Sequence, residues 1–239
     1  MPLASIKRLI GRLLLRLTPR LYCKIRNFRF RIMYWVSVKR GQPEYLPGLS
    51  KYAYSQHYRK VLTIQKYAAI YNAKIFVETG TYMGDMVYAV RNSFPRIYSV
   101  ELDSTLHARA AYLFAKQENI TILHGDSALL LPDILDRLDE PALFWLDGHF
   151  SGGITAKAEL ETPISEELRH ILNHRVPNHV ILIDDARLFN GERDYPALEA
   201  LRDFIAGIRP DHFFEVDTDI IRITFGAEYR DHWNYLQNL

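Results

Sequence analysis

The sequence predicts an α/β protein: a doubly wound, mostly parallel seven-stranded sheet that finishes in an antiparallel hairpin. Three observations carry this expectation. Short apolar runs of strand length (KIFV, RIYSV, ITILH, ALFWL and HVILI) alternate with helical stretches from residue 74 onward. Their near-continuous hydrophobicity is that of parallel strands covered on both faces. Two further strand-like runs, FFEV at 213–216 and IIRITF at 220–225, are joined by a short turn and should pair antiparallel.

Element by element, strands are expected at about 74–78, 97–101, 119–123, 142–146 and 179–183. Helices are expected near 85–93, 104–117, 127–138, 162–174 and 196–207. Thr162 is a good N-cap, Pro163 suits a first helical position, and Glu166 and Glu167 complement the helix dipole. A helix over 50–72, with Ser50 as N-cap, precedes the first strand. Its Tyr52, Tyr54, His57 and Tyr58 either cover a pocket or pack onto the sheet.

Charge divides the chain into a basic extension (1–48) and a body (49–239). Residues 1–43 hold eleven Lys or Arg and no acid, whereas the remainder holds nineteen basic and twenty-eight acidic residues. An acidic body argues against a surface that grips nucleic acid. Residues 3–18 read as an amphipathic helix, with Arg8, Arg12 and Arg16 opposite Leu9, Ile10, Leu13, Leu14 and Leu17. Pro19 should end it. Three readings stay open: a peripheral membrane contact through residues 3–18, an organelle transit peptide, or docking on the body or a partner. Residues 21–48 remain basic, gain aromatics and end in Pro- and Gly-containing stretches that look like a linker. Cys23 is alone, so a reducing, cytoplasmic setting is expected, and no apolar run approaches a membrane span of roughly 18 residues. The sequence leaves a homo-oligomer open.

Each of the five parallel strands ends in a polar cluster, where open α/β sheets bind ligands. The first is Glu78-Thr79-Gly80-Thr81-Tyr82-Met83-Gly84, whose glycines let backbone approach a ligand. Glu101 ends the second strand, where a carboxylate can hold a ribose diol. Asp126-Ser127 ends the third and can meet an adenine edge, cap the next helix, or both. A dinucleotide would need G-x-G-x-x-G around a pyrophosphate. Here the turn is G-x-x-x-G beside Glu78, which would repel phosphate and attract a sulfonium or ammonium group. With V-E-L-D and G-D-S following, the chain resembles class I S-adenosylmethionine-dependent methyltransferases over about residues 60–225, with a Rossmann-like fold. The first turn is particularly similar to that of the catechol O-methyltransferase group. The resemblance implies cofactor contacts from Glu78, Gly80, Thr81, Tyr82 and Gly84, ribose contacts from Glu101, and adenine contacts from Leu102, Asp126 and Ser127.

Asp147 ends the fourth strand and Asp184-Asp185 the fifth. Three carboxylates at one rim call for a cation, and oxygen ligands suit Mg²⁺. Metal-dependent catechol and sugar O-methyltransferases carry a similar set, which implies Asp147, Asp184 and Asp185 as metal ligands. The other reading is that Asp147 bonds the cofactor amine and Asp185 caps a loop. His149 could take a proton from an acceptor hydroxyl, or only pack or bind substrate. The expected activity is O-methyl transfer to a sugar, glycan or other diol-bearing small molecule, with Mg²⁺ orienting the diol. The rivals are a nicotinamide-dependent oxidoreductase and a non-catalytic binding protein on the same fold. Phe150-Ser151-Gly152-Gly153 reads as a closing loop, and Lys157 and Arg187 as surface or substrate contacts. His170 and His174 read as stabilising a helix end.

Overall fold

A computed structural model describes residues 18–39, 53–148, 162–192 and 194–226. Residues 3–17 of the predicted N-terminal helix, Ser50, Tyr52, the Tyr54 side chain, His149, the loop at 150–153 and Lys157 lie outside the described residues. Helix α1 (Pro19–Lys39) and helix α2 (Ala53–Ile70) precede the first strand. The alternating body then runs β1 (Ile75–Thr79), α3 (Asp85–Val90), β2 (Arg96–Glu101), α4 (Ser104–Phe114), β3 (Ile120–His124), α5 (Ser127–Leu135) and β4 (Ala142–Leu146). It continues through α6 (Ile164–Leu172), β5 (Val180–Ile183), a 3₁₀ turn (Ala186–Leu188) and α7 (Leu198–Ile208), closing with β6 (His212–Asp217) and β7 (Ile220–Phe225).

The seven strands form one sheet in the order β3-β2-β1-β4-β5-β7-β6. β1 to β5 pair parallel, while β7 pairs antiparallel with both β5 and β6. The sequence reading therefore holds for the sheet, including its antiparallel finish. The order reverses between β1 and β4, which places the ligand crevice above their carboxyl ends.

Strand alternation feeds two cores. Ile75, Val77, Phe144, Leu146, Ile181 and Ile183 face α5, α6 and α7. Phe76, Ile97, Leu143, Trp145 and Leu182 face α1 to α4. Both faces are covered, which is why the strands read as unbroken apolar runs.

The structure gives Pro19 a second place, as a helix start. It opens a 21-residue helix. The first helical position tolerates proline, because its missing N–H is one that a helix start leaves unpaired anyway. α1 buries Tyr22 and Cys23 in the second core, and Phe30 is buried as well. Burying a ring such as Phe30 contributes about 1.5–3 kcal/mol. Its rings meet α2: Phe30 lies 4.4 Å from His57 and Tyr34 lies 5.1 Å from Tyr58, centroid to centroid. His57 and Tyr58 thus pack against α1. Burial lowers the His57 pKa to about 3, so it stays neutral there. No described helix is long and apolar enough to cross a membrane.

Candidate active site

Backbone hydrogen bonds carry the sheet ladder one step past the strand ends. Gly125 N–H donates to Glu101 O, Gly80 N–H to Val100 O, Asp147 N–H to Thr79 O and Asp184 N–H to Leu146 O, each at 3.0–3.1 Å. The polar tips of β1 to β5 are therefore one continuous rim. The packing at its centre admits only glycine at residue 80. Gly80 sits at φ +87°, and a Cβ there would lie 2.5 Å from the Asp147 carbonyl oxygen.

Glu78 lies at this centre, buried, in register with Ser99 on one side and Trp145 on the other. Its Oε2 accepts from Ser99 Oγ at 2.5 Å, and Ser99 Oγ is 2.6 Å from Thr81 Oγ1. Burial raises its pKa well above the usual carboxylate range, and the charges of Asp147, Glu101 and Asp85 add to the rise. The Ser99 hydrogen bond offsets only part of this. Among the described residues no cation pairs with Glu78.

Glu101 accepts from Tyr82 N–H at 2.6 Å and from Asp103 N–H at 2.9 Å, which ties the first turn to β2. A carboxylate has about four lone-pair sites, so two remain for a diol. Tyr82 is left-handed at φ 48° and 43% exposed, so its ring stands out of the turn. Gly84 is left-handed too and opens α3. Leu102 is half-buried at the end of β2. Asp126 caps α5 through Ala128 N–H at 2.9 Å.

The Thr81 and Ser127 hydroxyls hydrogen-bond within the protein. The Thr81 hydroxyl is turned inward to Ser99. The Ser127 hydroxyl donates to Glu167 Oε1 at 2.6 Å. Glu167 was expected to serve the helix dipole, but it is only 1% exposed. It lies beneath the rim, near enough that a Cβ on Gly148 would be 3.4 Å from its Oε1. Burial pushes its pKa to about 7 against the Ser127 hydrogen bond. Helical periodicity could have found it, because Ile164, Glu167, Leu168 and Ile171 share the apolar face of α6.

On the β4–β5 side, the expected metal ligands meet a side chain that the motifs did not reveal. Lys60 reaches from α2, with Nζ 2.5 Å from Asp184 Oδ2 and 3.5 Å from Asp185 Oδ1. Asp184 Oδ1 accepts from Asp185 N–H at 2.8 Å. Arg187 Nη1 donates to Asp185 Oδ1 at 2.8 Å and also holds Asp219. Burial would lower the Lys60 pKa, but the charges of Asp184, Asp147 and Asp185 outweigh it and raise the value. Burial and the Asp147 charge raise Asp184 in turn, opposed by Lys60. Asp147 thus acts electrostatically on Glu78 and on Lys60 and Asp184, so both halves of the rim are parts of one site.

A cationic, phosphate-free ligand fits the β1–β2 half, where, among the described residues, Glu78 lacks a counter-ion and Glu101 keeps free lone pairs. A divalent ion does not fit the β4–β5 half as it stands, because Lys60 already contacts Asp184 Oδ2 and Asp185 Oδ1, and Arg187 contacts Asp185 Oδ1. Among the described residues no group of three His, Cys, Asp or Glu side chains is arranged to hold a metal.

No protein-family model and no curated protein sequence matches the chain. Solved structures do match. The O-methyltransferase TomG from Streptomyces achromogenes, in complex with SAM, shares 17% identity over 82% of this chain and 88% of that one, with a TM-score of 0.52. An O-methyltransferase from Bacillus cereus in complex with SAH shares 13% over 83% and 90%, at 0.52. SAH-bound methyltransferase PaMTH1 from Podospora anserina shares 15% over 95% and 97%, at 0.53. At these identities the likeness is one of fold: the chain is built on the Rossmann-like architecture of the class I S-adenosylmethionine-dependent methyltransferases.

Proposed function

We propose that this protein is an S-adenosylmethionine-dependent O-methyltransferase acting on a hydroxyl of a small molecule, with sugars, glycans and other diols as the acceptor class. One observation carries the cofactor reading. Glu78 is buried with no cation partner among the described residues, at a glycine turn, within electrostatic reach of Glu101 and Asp147. Such a place repels the pyrophosphate of a nicotinamide dinucleotide and suits a ligand with two cations and no phosphate. When bound, S-adenosylmethionine would supply a methyl group activated by its sulfonium sulfur. Glu78 and Asp147 would face its charged end and Glu101 its ribose hydroxyls, fixing the cofactor for in-line attack. His149 would take the acceptor hydroxyl's proton as the oxygen–carbon bond forms and the carbon–sulfur bond breaks. The acceptor class rests on the sequence resemblance, and nothing in the geometry of Asp147, Asp184 and Asp185 supports the expected Mg²⁺.

Calorimetric titration of the full chain with S-adenosylhomocysteine and with a nicotinamide dinucleotide tests this reading. Binding of the first alone is expected, and Glu101→Ala should weaken it by about tenfold or more, since hydrogen bonds to a charged group contribute about 1.5–3 kcal/mol. Dinucleotide binding without S-adenosylhomocysteine binding would decide for an oxidoreductase. Binding of neither would leave a non-catalytic protein.

The basic N-terminus is proposed to bring the enzyme to an anionic membrane carrying a lipid-linked acceptor. Leu21, Phe28, Ile32 and Trp35 are exposed on α1, beside exposed Lys24, Arg31 and Lys39. Co-sedimentation with vesicles containing phosphatidylserine tests it. Equal partitioning of the full chain and a chain lacking residues 1–20 would remove residues 3–18 from the proposal.

A further inference from the structure

We propose that the Lys60 ammonium is the resident cation of the β4–β5 rim, standing where the three aspartates would otherwise recruit a divalent ion. For the acceptor this rests on the methyltransferase reading; the cation's place does not.

Charge and geometry both support it. Asp147, Asp184 and Asp185 bring three negative charges to one rim, a cost that falls only when cations neutralise them. Lys60 and Arg187 together supply the two positive charges of one divalent ion. They contact the carboxylates directly, with Lys60 on Asp184 at 2.5 Å and Arg187 on Asp185 at 2.8 Å. Mg²⁺ demands near-octahedral oxygen at about 2.0–2.1 Å and usually keeps several waters. It would have to share Asp184 Oδ2 with an ammonium already in contact, and like charges that close repel strongly. Lys60 is not free to withdraw into solvent. Its side chain is only 18% exposed, and its helix is pinned by the ring contacts of His57 and Tyr58 with α1.

The substitution changes what the site asks of an acceptor. A divalent ion chelates two adjacent oxygens, which is the reason for expecting a diol. An ammonium is a compact point charge that donates single hydrogen bonds. Lys60 therefore selects one oxygen, and a vicinal pair is no longer required. It also polarises that oxygen less than Mg²⁺ would, which leaves more of the deprotonation to a base.

Mn²⁺ serves as the probe, with its free concentration read by electron paramagnetic resonance against the full chain. Wild type is expected to show no stoichiometric site tighter than about 1 mM, the weak end of specific binding. Lys60→Met should create one at least about tenfold tighter, because it removes a positive charge within a few ångströms. Adding Asp184→Asn should abolish it again. A wild-type site tighter than about 1 mM that Asp184→Asn removes would overturn the proposal. So would a folded Lys60→Met protein that gains no Mn²⁺. Should Lys60→Met fail to fold by circular dichroism, the wild-type and Asp184→Asn titrations decide alone: a site lost with Asp184 refutes, and no site upholds. S-adenosylhomocysteine is titrated in parallel, so loss of the cofactor reading registers separately from the metal result.

Discussion

Replacing Glu167 by Gln should make the protein more stable at pH 8 and remove a pH dependence from its unfolding. Glu167 is fully buried beneath the rim, with a pKa of about 7 against an ordinary value of 4.5. The dominant cause is burial, which penalises the ionised form. Below 4.5 the carboxyl is protonated in both folded and unfolded chains and has no linkage effect. Between 4.5 and about 7 the folded protein keeps a proton that the unfolded chain releases, so stability falls as pH rises. Above about 7 both forms are ionised and the full cost is present. That gap corresponds to about 3 kcal/mol, at about 1.36 kcal/mol per pH unit. Gln keeps an acceptor for Ser127 Oγ, which donates at 2.6 Å in the wild type, so the packing survives the change. Urea unfolding at pH 5, 6, 7 and 8 measures it. The wild-type midpoint should fall across the range by an amount the variant lacks. Parallel pH profiles, or a variant less stable than wild type at pH 8, would refute the reasoning.

Gly80→Ala should destabilise by about 2–5 kcal/mol, combining about 1–2 for a left-handed alanine and about 1–3 for the clash with Asp147 O. A melting temperature lowered by roughly 5–15 °C and weakened S-adenosylhomocysteine binding are expected, and an unchanged protein on both counts would contradict the rim geometry. Gly207→Ala is the contrast: nothing lies within 4 Å of its Cβ in α7, so calorimetry should show about 0.5–1 kcal/mol of gain. Glu78 carries a raised pKa, so a cationic cofactor that prefers the ionised form must displace its proton. S-adenosylmethionine affinity should therefore rise with pH in wild type, with proton release seen by calorimetry in two buffers. Glu78→Gln should bind more weakly and lose that dependence; equal slopes would remove Glu78 from the site.

The sheet was legible because its central strands are covered on both faces. KIFV, ALFWL and HVILI admit no polar interruption, and the polar residues that follow mark the rim. Helix α1 was not legible, because Pro19 signals an end as readily as a beginning and the density of Lys and Arg hides the buried set of Tyr22, Cys23 and Phe30. Glu167 could have been read. It lies on the apolar face of α6, while its neighbour Glu166 has a side chain 51% exposed. Lys60 carried no motif at all. It lies far from the aspartates in sequence, and only the fold of α2 over the sheet brings it to Asp184. The charge argument demanded a cation at that rim, but it could not distinguish a bound ion from a lysine.

That ambiguity shows how the rim is organised. The acidic tips do not form a uniform patch. On the β1–β2 side, Glu78 has a hydroxyl for company and Glu101 holds backbone amides, so among the described residues neither is matched by a positive charge. On the β4–β5 side, Asp184 and Asp185 are matched by Lys60 and Arg187. Asp147 lies between them and acts on both. An uncompensated half attracts an organic cation, whereas a compensated half offers positively charged donors to an oxygen nucleophile. In the proposed reaction, the methyl donor and the methyl acceptor would have these complementary polarities. A sheet whose order reverses between β1 and β4 sets the two halves side by side along one rim.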